Sequence, residues 1–355
     1  MDRTADRRGR RFRAEFGARR PRGRLWDRRG VTRGKRGRSG PYVESCKDES
    51  QAELWRLRGE GKVGLLIPLA RYIGGHYVVT RMREPSNRVK ANIEPLHKVR
   101  YGNNPDAGRF LQVGDARIYY EVYGDGPPVA LLHGGLFGYI DEFSTLIPML
   151  ADSYMVIAIA LRGHVKSETG ERRFSHRLFA EDSAAVIRHV TKKPVHLVGF
   201  SSGAIASYYL TLRHRNMVKK LVAVGATIAT KEVAPATPEK EEPFPTPEEL
   251  EKMAPKLVAR RRKLYADPLD WDRLVKRFGD MSPDPDIPRT RIRSLTCPTL
   301  VMAGDRDDEI TSEDLLETYR ALPRGQLAIV PNSGHTVFKQ RPAVTNALIL
   351  EFLRE

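Results

Sequence analysis

His196-Leu197-Val198-Gly199-Phe200-Ser201-Ser202-Gly203-Ala204-Ile205-Ala206-Ser207 decides how the rest of the chain is read. An apolar, strand-like run (Val195, Leu197, Val198) ends in Gly-x-Ser-x-Gly, and small residues then open a helix. A serine offered at a sharp strand-to-helix turn sits in a strained backbone conformation with its hydroxyl pushed clear of the sheet. Side chains two residues to either side collide with such a turn, and Gly199 and Gly203 relieve that crowding. Ala204, Ala206 and Ser207 let the helix approach the strand closely. Ser201, at the tip, is therefore the candidate nucleophile. Gly and Ser are common, and the pattern also occurs in ordinary turns. The flanking strand and helix give this match its weight.

Working outward, the chain from about residue 107 alternates strands with helices. Phe110–Val113 and Ile118–Tyr123 read as an opening pair of strands, followed by the turn Gly124-Asp125-Gly126-Pro127. Val129–Leu132, Met155–Ala160, Leu221–Val224, Leu300–Ala303 and Leu327–Val330 are continuous apolar runs, the pattern of strands covered on both faces. Helices are read around Glu142–Leu150 and Ser175–Val190. The alternation predicts an α/β fold: a mostly parallel eight-stranded sheet with helices on both faces. One block, 228–295, breaks it. Ala234–Pro247 is rich in Pro and Glu and reads as a linker. Thr246-Pro247-Glu248-Glu249 has capping-box spelling. After Asp267-Pro268, Trp271, Leu274, Val275 and Phe278 fall at i, i+3, i+4 and i+7 before Gly279 ends the helix.

The formal net charge of +17 is unevenly spread. Residues 1–40 hold sixteen Arg/Lys against four Asp/Glu, which leaves only +5 for everything after them. The basicity belongs to the leader rather than to the fold. Its Arg/Gly-rich sequence lacks apolar periodicity, so 1–106 is read as a basic, disordered or loosely docked leader, with 107–355 as the folded domain. The leader offers a non-enzymatic reading, nucleic-acid or anionic-surface binding, but aromatic platforms are sparse and no specific nucleic-acid partner is expected. The apolar run Val63–Ile73 is interrupted by Pro68 and Arg71 and falls short of a membrane span. Two isolated cysteines, Cys46 and Cys297, and nine scattered histidines imply neither a disulfide framework nor a metal site.

The elbow at Ser201 resembles that of the α/β-hydrolase family. Gly304-Asp305-Arg306-Asp307-Asp308 resembles the family's G-x-x-D acid loop. The matching position is Asp307, with Asp305 and Asp308 as nearby competitors. Asn332-Ser333-Gly334-His335 matches the family's G-H loop and makes His335 the base. The order Ser201, Asp307, His335 is the one stated for this family. His133-Gly134-Gly135-Leu136 resembles the oxyanion loop, so the resemblance implies the backbone N–H groups of Gly135 and Ser202 as oxyanion donors and leaves His133 as a structural strand-end residue. The 228–295 block resembles the family's cap. Within it, Trp271 and Phe278 either line an acyl pocket or glue the cap to the body. Arg162-Gly163-His164-Val165-Lys166-Ser167 departs from the family's R-G-H-G-x-S, with Val165 in place of glycine, and Ala160 stands where an acid is often found.

The resemblance implies a serine hydrolase, carboxylesterase-like, acting on a small-molecule ester or acyl substrate without cofactor or metal. A lactonase, a carbon–carbon bond hydrolase and a cofactor-free haloperoxidase share the triad, and the fold does not choose among them. Tyr101-Gly102-Asn103-Asn104-Pro105 resembles a short leader of some exported bacterial members, so location is read as cytoplasmic by default with an exported form open.

Overall fold

The computed structural model describes residues 99–227, 244–281 and 289–355, together with three short strands nearer the N-terminus. The chain divides into two compact units, Met1–Glu94 and Pro95–Glu355. In the first, β1 (Ser45–Cys46), β2 (Ala70–Ile73) and β3 (His76–Val79) pair antiparallel in the order β1-β3-β2. The Arg-rich segment 1–40 and most of the expected linker within the 228–295 block lie outside the described residues. Among the described residues, no helix is long and apolar enough to cross a membrane.

The second unit is built on eight strands: β4 (Gly108–Val113), β5 (Ala116–Tyr123), β6 (Pro128–Leu132), β7 (Met155–Ile159), β8 (Val195–Phe200), β9 (Val218–Val224), β10 (Thr299–Gly304) and β11 (Gly325–Val330). Their order is β11-β10-β9-β8-β6-β7-β5-β4. The pairs β4–β5 and β5–β7 are antiparallel, and every other pair is parallel. Alternation along the strands divides the core in two. Ala130, Leu132, Leu197, Ala223 and Val301 face one cluster, while Val129, Leu131, Val198, Val222, Leu300 and Met302 face the other. The first cluster is covered by α2 (His176–Val190), α3 (Ser202–Arg213), α8 (Ser312–Ala321) and the cap helices α4 (Pro247–Met253), α5 (Pro255–Arg262) and α6 (Leu269–Gly279). The second is covered by α1 (Ile147–Ala151), α9 (Val337–Gln340) and α10 (Pro342–Arg354). A short α7 (Arg289–Ile292) leads back to β10.

Local sequence accounts for most element ends. Ser175 caps α2 by accepting from Leu178 N, and Thr246 and Glu249 complete a capping box at α4. The helix expected over Glu142–Leu150 is instead a 3-10 turn, Ile140–Phe143, followed by α1. Pro148 explains the break: it lacks an N–H and fits only the first turn of a helix, so α1 must begin beside it.

Residues 99–106, read as leader, pack with the domain. The Glu121 carboxylate, fully buried, accepts from Gly102 N (2.7 Å), Asn104 N (2.9 Å), Tyr119 Oη (2.7 Å) and Tyr123 Oη (2.8 Å). Tyr139 Oη donates to Gly102 O, and Gly102 has φ +87° with no room for a Cβ against the Tyr139 ring. A single carboxylate thus fastens the segment to β5. Glu121→Ala leaves two hydroxyls and two amides without their acceptor and is expected to cost on the order of 3 kcal/mol. A shift in the urea midpoint, followed by circular dichroism, measures it; a loss below about 0.5 kcal/mol contradicts the anchoring role.

Candidate active site

The chain leaves β6 for β7 on one side and returns to β8 on the other, so the strand order reverses at β6. In open α/β sheets the crevice at the carboxyl ends of the strands flanking such a reversal is where ligands bind. The loop after β6 carries Gly134 and Gly135, and the turn after β8 carries Ser201.

Ser201 has φ 50° and ψ −123°, a conformation that L-residues seldom adopt. Its N–H donates to Val224 O on β9 (2.8 Å), and its carbonyl accepts from Ala204 N and Ile205 N, which starts α3. The flanking glycines are required by contact. A Cβ at Gly199 would lie 2.4 Å from Ser207 Oγ, and one at Gly203 would lie 2.2 and 2.3 Å from the carbonyl oxygens of Leu132 and His133. Ser202 opens the helix, where the first backbone N–H groups have no intrahelical acceptor. A Cβ at Gly135 would lie 2.6 Å from Ser202 Oγ. The two residues expected to supply oxyanion donors are therefore neighbours.

Gly134 is held from three directions. His133 Nε2 accepts from Leu161 N (2.9 Å), which leaves Nδ1 protonated to donate to Gly134 O (2.8 Å). The buried Glu142 Oε2 accepts from Gly134 N (2.9 Å), and the Phe200 ring covers the remaining face. Burial holds His133 well below the ordinary histidine value and His164 down to about 4, so both rings stay neutral near neutral pH. His133 is the strand-end residue expected.

At the ends of β10 and β11, Asp307 lies with its side chain fully buried, both carboxylate oxygens 3.1 Å from His335 Nδ1. Its Oδ1 also accepts from Glu309 N and Ile310 N (both 3.0 Å). The competing Asp305 accepts from Ser333 N (3.0 Å), and that amide bond is the leading cause that lowers its pKa. Asp308 lines a cleft of about 570 Å³ beside the imidazole, with Arg306, Asn332 and Gln340. The His335 ring packs on Phe200 (centroids 5.1 Å) and against Gly225, where a Cβ would meet Cε1 at 3.0 Å. The imidazole therefore stands beside the residue preceding Ser201. Among the described residues no hydrogen bond joins Ser201 Oγ to His335. Instead, Nε2 faces Glu309 Oε2 at 3.3 Å.

The cap divides the roles of its two aromatics. Trp271 is fully buried against Phe137 and Tyr265, the glue of the sequence reading. Phe278 reaches the site, 3.4 Å from where a Gly135 Cβ would stand and edge-on to His164. Arg162 is fully buried and pairs with Asp182 (2.7 Å) and Asp115 (2.8 Å). Val165, which stands where the family's segment has glycine, takes a left-handed backbone with φ 51°.

Sequence reasoning missed Glu142 and Glu309. Glu309 was visible as a further carboxylate two residues beyond Asp307. Glu142 sat inside a stretch read as helix, where a glutamate passes for a solvent-facing residue.

A wound sheet with a strained serine at its switch point and an acid–imidazole pair on neighbouring loops defines an α/β-hydrolase architecture. The model of the alpha/beta hydrolase family matches residues 129–348, and the chain belongs to that family. It is 34% identical over 114 residues to the uncharacterized hydrolase YraK of Bacillus subtilis, an alignment spanning 32% of this chain and 42% of that protein. With the 2-(acetamidomethylene)succinate hydrolase of Mesorhizobium japonicum it shares 24% identity over 263 residues, 69% of this chain and 94% of the other. A putative esterase/lipase of Haemophilus influenzae is 23% identical over 64% of this chain and 84% of its own length. Among solved structures, the meta-cleavage product hydrolase of Pseudomonas fluorescens has a TM-score of 0.59 at 20% identity, covering 71% of this chain and 99% of that one. A thermophilic esterase from Thermogutta terrifontis has a TM-score of 0.58 at 20% identity, covering 69% and 98%. The relatives support an enzyme of the α/β-hydrolase type.

The crowding at the elbow is separable from glycine conformation. Gly203→Ala forces a Cβ onto two backbone carbonyls and is expected to cost about 3 kcal/mol or more. Gly114→Ala, at φ +59° with nothing within 4 Å, is expected to cost about 1 kcal/mol. Denaturant titration of the two variants checks the order; equal losses contradict the steric account.

Proposed function

We propose that this chain is a serine hydrolase that cleaves a carboxylic ester of a small molecule through an acyl-enzyme. The observation that carries the reading is the Asp307 carboxylate at 3.1 Å from His335 Nδ1, with the imidazole packed on the residue before the strained Ser201. A serine hydroxyl is a weak nucleophile until a base takes its proton. In the proposed cycle His335 Nε2 exchanges Glu309 for Ser201 Oγ and takes that proton. Oγ then attacks the carbonyl carbon, and the oxyanion is held by the N–H groups of Gly135 and Ser202. Asp307 keeps Nδ1 protonated and stabilises the imidazolium. The C–O bond to the alcohol breaks as the alcohol takes the proton from Nε2. Water, deprotonated by the same nitrogen, then releases the acid and restores Ser201.

Relatives are named for esterase/lipase, haloperoxidase and dienoic acid hydrolase activities, and a structural neighbour is named an enol-lactonase. A panel of nitrophenyl esters of increasing chain length, lactones and a vinylogous diketone separates these substrate classes. A fluorophosphonate probe is expected to label the wild-type protein and not Ser201→Ala, and Asp307→Asn is expected to lower kcat on the order of 10³-fold or more. Labelling that survives in Ser201→Ala contradicts the assignment.

The contact between Glu309 and Nε2 withholds the base, and Glu309 is largely exposed. Its removal in Glu309→Ala is therefore expected to raise kcat/KM only about two- to fivefold at low ionic strength. Wild-type and variant rates should converge as salt is added. A variant slower than wild type at every salt concentration makes Glu309 a helper instead.

A further inference from the structure

Gly134 and Gly135 have no side chains with which to brace their own peptide planes, and glycine is the residue freest to rotate. Buried neighbours do it for them. The Gly134 carbonyl is held by His133 Nδ1, its N–H by Glu142 Oε2, and Phe200 closes the third side. Because the peptide is planar and trans, fixing the Gly134 carbonyl fixes the Gly135 N–H in the opposite direction. Rotation about the Gly134 backbone is opposed at both of its peptides, by His133 at its carbonyl and by Glu142 at its own N–H. We infer that Glu142 is a positioning residue, its carboxylate aiming the Gly135 amide at the oxyanion by gripping the amide of Gly134. The inference rests on the hydrolase reading above.

A carboxylate is a costly anchor in such a place, because its charge is buried. Burial pushes the Glu142 pKa up to about 7, and the Gly134 amide, Lys339 on α9 and Arg261 on cap helix α5 offset only part of that, with neighbouring Asp141 adding to it. Both protonation states are thus populated near neutral pH, and they grip differently. The ionised form accepts a charge-assisted hydrogen bond from Gly134 N–H, roughly twice as strong as the neutral one. The loop is therefore held more tightly as pH rises through about 7. The sign for stability is opposite. The folded state keeps a proton that the unfolded chain releases near 4.5, so stability falls as pH rises from about 4.5 to about 7 and stays lower above it.

The test compares Glu142→Gln, which mimics the protonated acid, and Glu142→Ala with wild type on one nitrophenyl ester across pH. The ratio of wild-type to Glu142→Gln kcat cancels the titration of the base. It is expected to climb from near one below pH 6 to about threefold above pH 8, with KM little changed. Over the same range, the melting temperature of Glu142→Gln should rise relative to wild type. Glu142→Ala is expected to lose about 10- to 100-fold in kcat and as much in affinity for a trifluoromethyl ketone, which presents an oxyanion, while substrate binding holds. A ratio that stays flat with pH overturns the inference, as does a folded Glu142→Ala with wild-type kcat and ketone affinity. If Glu142→Ala does not fold, the ratio for Glu142→Gln decides alone. Failure of the underlying reading is seen separately, as turnover and fluorophosphonate labelling that persist in Ser201→Ala.

Discussion

The close approach of Gly203 to the carbonyl oxygens of Leu132 and His133 is the constraint on which the site depends. Helix α3 begins against the end of β6, so the turn that strains Ser201 and the loop that carries Gly135 are packed on each other. A residue with any side chain at 203 would move both at once. Strain of this kind, on the order of 1–3 kcal/mol at Ser201, persists only where the surroundings over-determine the backbone. Here the surroundings are β6, β9 through Val224 O, and the opening turn of α3.

A second coupling joins the loop of Asp307 to the loop of His335. Gly304 ends β10 so close to β11 that a Cβ would lie 2.1 Å from Ser333 O. Arg306 N donates to that carbonyl (2.9 Å), Asp305 accepts from Ser333 N, and Arg306 pairs with Asn332 Oδ1 (2.7 Å). Asn332 itself takes φ 55°, which asparagine tolerates better than most residues. The two loops thus form one crosslinked unit, and Asp307 and His335 move together or not at all. Phe200 then ties that unit to the loop after β6, with one ring packed on His335 and on the face of Gly134.

The eight strands, the elbow and the helix caps were legible because each is written locally, in apolar runs, glycine spacing and helix starts. The pairing of Asp307 with His335 was reached through loop position after successive strands, and the sequence alone had left Asp305 and Asp308 as rivals. The imidazole separates them: His335 Nδ1 stands 3.1 Å from both Asp307 oxygens, while Asp305 accepts from Ser333 N. What stayed hidden were carboxylates whose partners are remote in sequence or supplied by the backbone. Glu121 looks like one more residue of a strand until Gly102 and Asn104 return to it from the segment read as leader. Glu142 looks like a helix-surface glutamate until its turn folds back onto Gly134. No periodicity encodes a buried anion, because its environment is made by tertiary contacts.

Val165 shows how a departure from a family pattern is absorbed. A β-branched residue at φ 51° is strained, yet Val165 packs against both core clusters, so burial of its apolar side chain offsets part of the backbone cost. The cap is held by different physics on its two sides. On the α5 side Arg261, nearly fully buried, pairs with Asp141 at 2.8 Å, one residue before Glu142. On the α6 side Phe278 and Trp271 meet rings of the body, and Arg277 meets Glu171 in solvent. Lifting α5 breaks that ion pair and leaves Asp141 without its guanidinium, whereas lifting α6 exposes Trp271, Leu274 and Val275, all fully buried. Arg262 on α5 pairs with Asp272 on α6 at 2.7 Å, so the two sides are joined, and the ion-pair side is the one that bears on the segment whose Glu142 grips Gly134.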